Sequence, residues 1–229
     1  MSRKSFVPTI ATAVALTLLG PMQLSAQVSS ESTESASRKA KSARYNGGSC
    51  YITVAAPEHE CFFEQIWPRS LPVIPYKESS VVLTGRVSGI EPFLSEDRTH
   101  IYTEITVRPE QVFKGSSHST FVVIDQIGGT VKAASGRDVH DGTRIDFLGR
   151  PRVGGRYVLF AKRVHHGKDL TLIRAYEFQD ERVFKLTDDG TPGSVVLSNK
   201  PNQPDSLSSE EAFLQAVRAR AAKDTGTTP

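Results

Sequence analysis

The side chains of this sequence best suited to chemistry begin with two cysteines. Cys50 and Cys61 are its only cysteines, and ten residues separate them. In an oxidising compartment an even cysteine count favours a disulfide, which would add about 3 kcal/mol at most in the entropic model. Two alternatives stay open: free thiols, or a metal site formed with His59. Because the spacing lacks the C-x-x-C pattern of zinc and redox sites, we expect the disulfide.

Two groups of side chains could bind a metal ion. One is His140 and Asp141 with Asp138 nearby, and the other is the adjacent pair His165 and His166. Neither has the i, i+4 or C-x-x-C spacing of a defined site, so solvated turn residues are the favoured interpretation. The sequence also lacks a G-x-S-x-G nucleophile elbow and a phosphate-binding loop. We therefore predict no cofactor, no metal and no enzymatic activity.

Residues 1–26 have the three parts of a secretory signal peptide. Arg3 and Lys4 precede an apolar run at residues 10–20, and small residues lead to a cleavage site after Ala26. The run is about half of the ~20 residues that span a bilayer, and no later segment is apolar enough. We expect an exported protein, periplasmic or extracellular, with no transmembrane anchor after cleavage.

Charge and composition narrow the choice of partner. Of the 28 Lys and Arg residues, two lie in the predicted signal, which leaves 26 against 25 Asp and Glu. This balance gives no support for a nucleic-acid partner, because proteins that bind nucleic acids normally carry a clear excess of basic residues.

Residues 27–45 are rich in Ser and charged residues, so we predict a disordered linker there. A weak basic contact with an anionic surface is the alternative for that linker.

The elements that must position these side chains are mostly strands. Residues 46–78 contain the cysteine loop and a Pro- and aromatic-rich stretch, which we expect to wrap one end of a barrel at residues 79–198. Alternating apolar residues on both sides of a loop at Glu91–Thr99 predict a long hairpin. Further strands are predicted at Thr120–Gln126, Arg156–Val164, Leu170–Phe178, Arg182–Leu186 and Ser194–Leu197.

The remaining stretches are a polar segment and a C-terminal helix. We expect residues 130–150 to be irregular, because they follow the strand-breaking Gly128-Gly129 and are rich in charge. Residues 199–229 are predicted to be a loop followed by a helix at about Ser209–Ala222. Its capping box would be Ser208 with Glu211, and Phe213, Leu214 and Val217 would form its apolar stripe.

The central strands resemble a known superfamily. The run VVLTGRVSGI…HIYTEITVRPEQVFKG…FVVIDQIGG…VGGRYVLFAKR, within residues 79–187, is similar to the OB-fold barrels of netrin-like domains and tissue inhibitors of metalloproteinases. It resembles exported bacterial proteins with that barrel more closely. The resemblance implies an all-β, OB-fold-like antiparallel barrel, here with a C-terminal α-helix.

The resemblance does not extend to the protease-binding residues. Animal inhibitors chelate the protease zinc through an N-terminal cysteine, whereas the mature chain is predicted to begin at Gln27 and its first cysteine is Cys50. The dense disulfide set of those inhibitors is also missing. Metalloproteinase inhibition is therefore not implied, and no site residue is transferred.

These patterns favour a non-enzymatic binding module for a protein, peptide or envelope polymer. Because binding residues concentrate on loops held by rigid scaffolds, we expect contact through Gly128–Arg150 and Glu91–Thr99. The candidate surface residues are Trp67, Arg137, His140, Arg144 and Arg150. One alternative is an inhibitor of a secreted peptidase that uses the cysteine loop or an edge strand. The other is a metal-dependent hydrolase that uses His140, Asp141 and His165.

Overall fold

The computed structural model describes residues 36–47, 71–116, 119–132, 136, 138–141, 149–186, 192–195 and 207–224, without the side chains of 139–141 and 192–195. The chain divides into two units, Met1–Arg38 and Lys39–Pro229, and the fold below is that of the second. The predicted signal peptide and the loop from Cys50 to Cys61 lie outside the described residues.

The described elements are mostly strands. The strands are β1 (Val81–Leu94), β2 (Ile101–Lys114), β3 (Val122–Ile127), β4 (Gly129–Lys132), β5 (Asp138–Asp141), β6 (Arg156–Val164), β7 (Asp169–Gln179), β8 (Arg182–Leu186) and β9 (Pro192–Val195). Helix α1 is described over residues 36–42 and continues into a 3₁₀ turn at Ala43–Tyr45. A second 3₁₀ turn is His165–Gly167, and helix α2 is Glu210–Asp224.

Five strands close into a ring. The main sheet has the order β3-β2-β1-β6-β7-β8-β9, and β3 also pairs with β7 in parallel, where Asp125 lies opposite Thr171. The other pairs in this sheet are antiparallel. Register shifts in the β1–β2 and β6–β7 pairs make the ring irregular rather than a uniform barrel. The predicted fold class, an all-β OB-fold-like barrel with a C-terminal helix, is confirmed.

Two apolar clusters lie on the two faces of this sheet. The inner cluster fills the ring and is built on Val81, Leu83, Val87, Ile105, Val107, Ile124, Tyr157, Leu159, Ala161, Leu172, Ala175 and Leu186. The outer cluster joins the sheet to residues 71–76 and to α2, and it includes Ile74, Tyr76, Phe160, Tyr176, Phe178, Phe213, Leu214 and Val217. Each large buried side chain contributes roughly 1.5–3 kcal/mol, so α2 is part of the folded core.

Helix α2 buries the predicted apolar stripe but begins at Glu210, one residue later than predicted. Phe213, Leu214 and Val217 are buried, as their spacing predicts. The cap is Ser209, whose Oγ accepts a hydrogen bond from the N–H of Ala212 at 3.3 Å. This bond places the N-cap at Ser209, one residue after the predicted Ser208, because the first helical residue is Glu210.

Two predicted loop segments differ from the structure. Strand β1 continues to Leu94, so the hairpin loop is residues 95–100 and not Glu91–Thr99. Within the segment predicted to be irregular, β4 and β5 pair as a two-stranded sheet in which Thr130 lies opposite His140. Gly128 and Gly129 have φ values of 90° and 149°, which glycine adopts readily. This backbone turns the chain from β3 into the second sheet, and only Gly128 separates β3 from β4.

The predicted linker is partly wrong. Residues 36–45 are helical or in a 3₁₀ turn, and Ser42 and Tyr45 are buried. These residues have no apolar face to bury. They are held in place instead by polar contacts with strands that are distant in sequence. Residues 27–35 lie outside the described part.

Candidate functional site

The structure describes the side chain of one predicted contact residue. Cys50, Cys61 and Trp67 lie outside the described residues, as do Arg137 and Arg144. His140 is placed in β5, but its side chain is not described. Arg150 is described and exposed, on the chain that leads back towards β6.

Arg150 borders a cavity at one end of the ring. The cavity encloses about 200 Å³. It is lined by Ile90, Pro92, Thr103, Ile105, Gln126, Gly128, Gly129, Thr130, Arg150 and Pro151. Both segments predicted to form the contact surface contribute to this wall, one through Pro92 and the other through Gly128–Thr130 and Arg150.

Two hydrogen bonds fix the walls of this cavity. Thr103 donates from Oγ1 to the carbonyl of Gly128 at 2.7 Å, which ties β2 to the start of the second sheet. Gln126 donates from Nε2 to the carbonyl of Gly149 at 3.0 Å, which holds the residue preceding Arg150. The cavity is therefore bounded by strands and by a segment anchored to them.

The lining determines what the cavity can accept. Ile90, Pro92, Ile105 and Pro151 give it apolar walls, and Arg150 supplies a permanent positive charge at its border. Clefts for drug-sized ligands enclose about 300–1,000 Å³, so a cavity of about 200 Å³ suits one side chain rather than a whole small molecule. No catalytic constellation accompanies it among the lining residues.

A second polar site was missed by sequence reasoning. On the outer side of β2 and β3, Glu104 lies directly opposite Asp125. Like charges in such cross-strand positions repel each other. Lys41 relieves the repulsion, because its Nζ lies 2.8 Å from Asp125 Oδ1 and 2.8 Å from Glu104 Oε1.

Neighbouring residues of the same segment extend this site. Arg44 donates from Nε and Nη2 to the two oxygens of Asp169 at 2.6 and 2.7 Å. Tyr45 donates its hydroxyl hydrogen to Asp125 Oδ2 at 2.6 Å. Its ring stacks on Tyr102, with centroids 4.2 Å apart and planes inclined by 10°.

Burial and hydrogen bonding change the acidity of these groups. Burial raises the pKa of Asp125, and the hydrogen bonds from Lys41 and Tyr45 oppose the rise without cancelling it. For Lys41, burial lowers the pKa, but the hydrogen bonds to Asp125 and Glu104 outweigh it and the net change is upward. Burial also raises the pKa of Tyr45 far above its ordinary value. Lys41 is therefore charged and Tyr45 neutral at physiological pH.

The same segment is bound to the hairpin loop. The N–H of Gly47 donates to Asp97 Oδ2 at 2.8 Å, and the N–H of Asp97 donates to Asn46 Oδ1 at 3.0 Å. Burial favours a higher pKa for Asp97, but hydrogen bonds from Thr99, Gly47 and Ser95 hold it well below its usual range. The loop that was predicted to contact a partner thus contacts residues 46–47 of its own chain.

A third polar region lies around Arg152. Its guanidinium donates to Glu177 Oε1 at 3.0 and 2.6 Å, and Glu177 is 2% exposed. Arg156 bridges Glu110 and Glu210 at 2.5 Å each, which joins β6 to β2 and to α2. Because these charges pair with one another, the region serves mainly to hold the strands and the helix together.

The histidine pair forms part of a turn. His165 and His166 have φ values of 48° and 57°, so both adopt the left-handed conformation. The ring of His165 contacts that of Tyr45 edge-on at 5.0 Å. Among the described side chains, no group of three or more His, Cys, Asp or Glu is placed to hold a metal ion.

Comparisons with known proteins leave the family open. No model of a protein family matches the chain, and no curated protein matches it in sequence. In the part of the chain that the structure describes, no helix has the length and apolar character needed to cross a membrane.

The missed site carries one signal that sequence reasoning could have used. Each acid lies at an outward-facing position of its strand, and once β2 pairs with β3 the acids Glu104 and Asp125 lie opposite each other and need a cation. A segment with Lys41, Arg44 and Tyr45 supplies one, but nothing local indicates which of the chain's cations is the partner.

Proposed function

We propose that this protein is an exported, non-enzymatic binding module that recognises a protein or peptide at the cavity beside Arg150. The observation that carries the proposal is the composition of the cavity wall. Pro92 from one predicted contact segment and Gly128–Thr130 and Arg150 from the other line a single space of about 200 Å³.

The lining suggests how recognition works. A partner inserts one apolar side chain between Ile90, Ile105 and Pro151, and this burial is worth roughly 1.5–3 kcal/mol. An acidic group beside that side chain pairs with Arg150, whose planar guanidinium can bind a carboxylate through two hydrogen bonds. Because strands hold the walls of the cavity in place, few residues of this protein have to become ordered on binding, and the entropic cost is small.

Export is the second part of the proposal. Its support is the sequence of residues 1–26, with a basic start, an apolar run and small residues before Gln27. N-terminal sequencing of protein recovered from the periplasm and the medium tests it. A mature chain that starts at Gln27 supports export, and a cytoplasmic protein that retains Met1 contradicts it.

The binding proposal is tested with the mature chain, residues 27–229, immobilised and exposed to secreted and envelope fractions. Captured proteins are quantified by mass spectrometry, and each candidate is purified and titrated calorimetrically. The variant Arg150→Glu reverses the charge at the cavity. The matched control is Arg163→Glu, an exposed arginine at the other end of β6.

The two variants make the outcome decisive. The proposal expects the purified partner to bind Arg163→Glu as it binds the unmodified chain, and Arg150→Glu roughly tenfold or more weakly, the range of a charge-assisted hydrogen bond. Equal binding by both variants, or no saturable partner for the unmodified chain, contradicts it.

A further inference from the structure

One aromatic and three acidic side chains of β2, β3 and β7 form a site with a defined chemistry. We call it the acidic groove and define it by Tyr102, Glu104, Asp125 and Asp169. Asp125 is 1% exposed and Asp169 is 6% exposed. It combines an aromatic platform with three carboxylates, a combination suited to a cationic ligand that also carries an aromatic ring.

A stretch of the chain itself occupies this groove in the manner of a bound peptide. Residues 39–47, KAKSARYNG, approach it through side chains in a fixed order. Lys41 meets Glu104 and Asp125, Arg44 meets Asp169, and the ring of Tyr45 stacks on Tyr102. Ser42 adds a hydrogen bond between its Oγ and the Tyr102 hydroxyl at 3.0 Å.

The occupying segment is separate from the apolar cores. The inner and outer clusters, as far as the described residues define them, are built without residues 39–47. Within this segment Ser42 and Tyr45 are buried, and the other contacts are mostly ion pairs and hydrogen bonds. Departure of the segment would therefore expose charges and one aromatic platform but would leave both cores intact.

We propose that the acidic groove is a binding site for a cationic peptide segment of a partner protein, with the residue order Lys-x-x-Arg-Tyr, and that residues 39–47 are its built-in competitor. A tethered segment acts at an effective concentration in the millimolar range, so it keeps the groove closed against weak ligands. A partner can bind only the fraction of molecules in which residues 39–47 have left the groove. Its apparent Kd is therefore its intrinsic Kd divided by that fraction. The proposal is independent of the cavity beside Arg150, and either can fail alone.

The test uses the mature chain and a fluorescent peptide of sequence KAKSARYNG, followed by anisotropy. In the weakened variant, Arg44→Ala is combined with Tyr45→Ala, which reduces the contacts of the internal segment. A third protein adds Asp169→Asn to that variant and so damages the groove itself. A peptide of the same composition in scrambled order is the control for charge alone.

Competition predicts the order of affinities. The peptide binds the weakened variant roughly tenfold or more tightly than the unmodified chain, because the internal competitor is impaired. Adding Asp169→Asn removes most of that gain, since a charge-assisted fork is lost. Equal binding by the unmodified chain and the weakened variant, or equal binding of the scrambled peptide, overturns the proposal.

A milder variant keeps the test valid if the double substitution does not fold. Arg44→Gln removes the fork to Asp169 and leaves the stack of Tyr45 on Tyr102 in place. Its fold is checked by circular dichroism before titration. It is expected to bind the peptide more tightly than the unmodified chain does, and an unchanged affinity in this folded variant also overturns the proposal.

Discussion

Replacing Lys41 by Met should destabilise the protein by an amount that depends on pH. Lys41 neutralises Asp125, whose side chain is 2% exposed. Without the ammonium group, Asp125 must remain charged without its cation or take up a proton on folding. Protonation at pH 7 of a carboxyl with an unfolded pKa near 3.9 costs about 4 kcal/mol, which sets the upper limit of the loss that comes from Asp125.

The pH dependence follows from the direction of the pKa shift. Burial already raises the pKa of Asp125, and Lys41 opposes that rise. In Lys41→Met the folded pKa is higher still, so the folded state holds a proton that the unfolded state has released. Stability then falls by about 1.4 kcal/mol per pH unit between the two pKa values. We expect a loss of about 2–4 kcal/mol at pH 7 and less than about 1.5 kcal/mol at pH 5.

Urea denaturation of the mature chain at both pH values measures this loss. The control is Lys39→Met, because Lys39 is 74% exposed and its pair with Glu96 spans 3.4 Å. Exposed pairs contribute about 0–1 kcal/mol, so this variant should stay within that range at both pH values. A loss for Lys41→Met that is the same at pH 5 and pH 7, or no larger than that of the control, would refute the reasoning.

Three further substitutions test the packing. Gly85→Ala places a Cβ 2.5 Å from a carbonyl oxygen of β2 and should cost about 1–3 kcal/mol, whereas Gly89→Ala, with 3.7 Å of clearance on the same strand, should be nearly neutral in thermal melts. Ser209→Ala removes the cap of α2 and should cost about 1 kcal/mol in urea denaturation, and an unchanged stability would contradict the structure. Phe213→Ala, at a fully buried position, should cost about 3–5 kcal/mol, and a loss under about 1 kcal/mol would exclude α2 from the core.

The strands and α2 could be predicted from periodicity. Ile105 and Val107 lie in the inner cluster as alternation requires, and Phe213 and Val217 lie in the outer cluster as helical spacing requires. When one face of a strand or helix is buried, its apolar residues recur at a regular spacing in the sequence, and that spacing identifies the element without knowledge of the fold. The pairing of β3 with β7, which closes the ring, leaves no such spacing. A closed barrel could be expected only from the resemblance to OB-fold proteins.

The ordered segment at residues 39–47 could not be predicted from composition. Its residues are polar and charged, which is typical of disorder when they are considered alone. Its order depends on Asp125 and Asp169, more than 80 residues away along the chain. Sequence periodicity reports apolar faces, whereas an ion pair between distant residues leaves no local pattern.

The candidate site was predicted in outline only. The sequence indicated two contact segments and Arg150, but it placed them on loops. The structure instead places Pro92 in β1 and Thr130 in β4, and it binds the hairpin loop to Gly47. The two glycines that turn the chain into β4 decide where the cavity wall forms, and their φ values do not follow from residue type alone.

Photo-crosslinking from the cavity wall tests the central claim most directly. A photoreactive phenylalanine analogue replaces Thr130, which lines the cavity, or Lys185, an exposed residue of β8, in the mature chain. Irradiation in the secreted and envelope fractions should give a discrete adduct from the first position, and Arg150→Glu should reduce the yield of that adduct roughly tenfold or more. Adducts of equal yield from both positions, or a yield from Thr130 that Arg150→Glu leaves unchanged, would contradict recognition at this cavity.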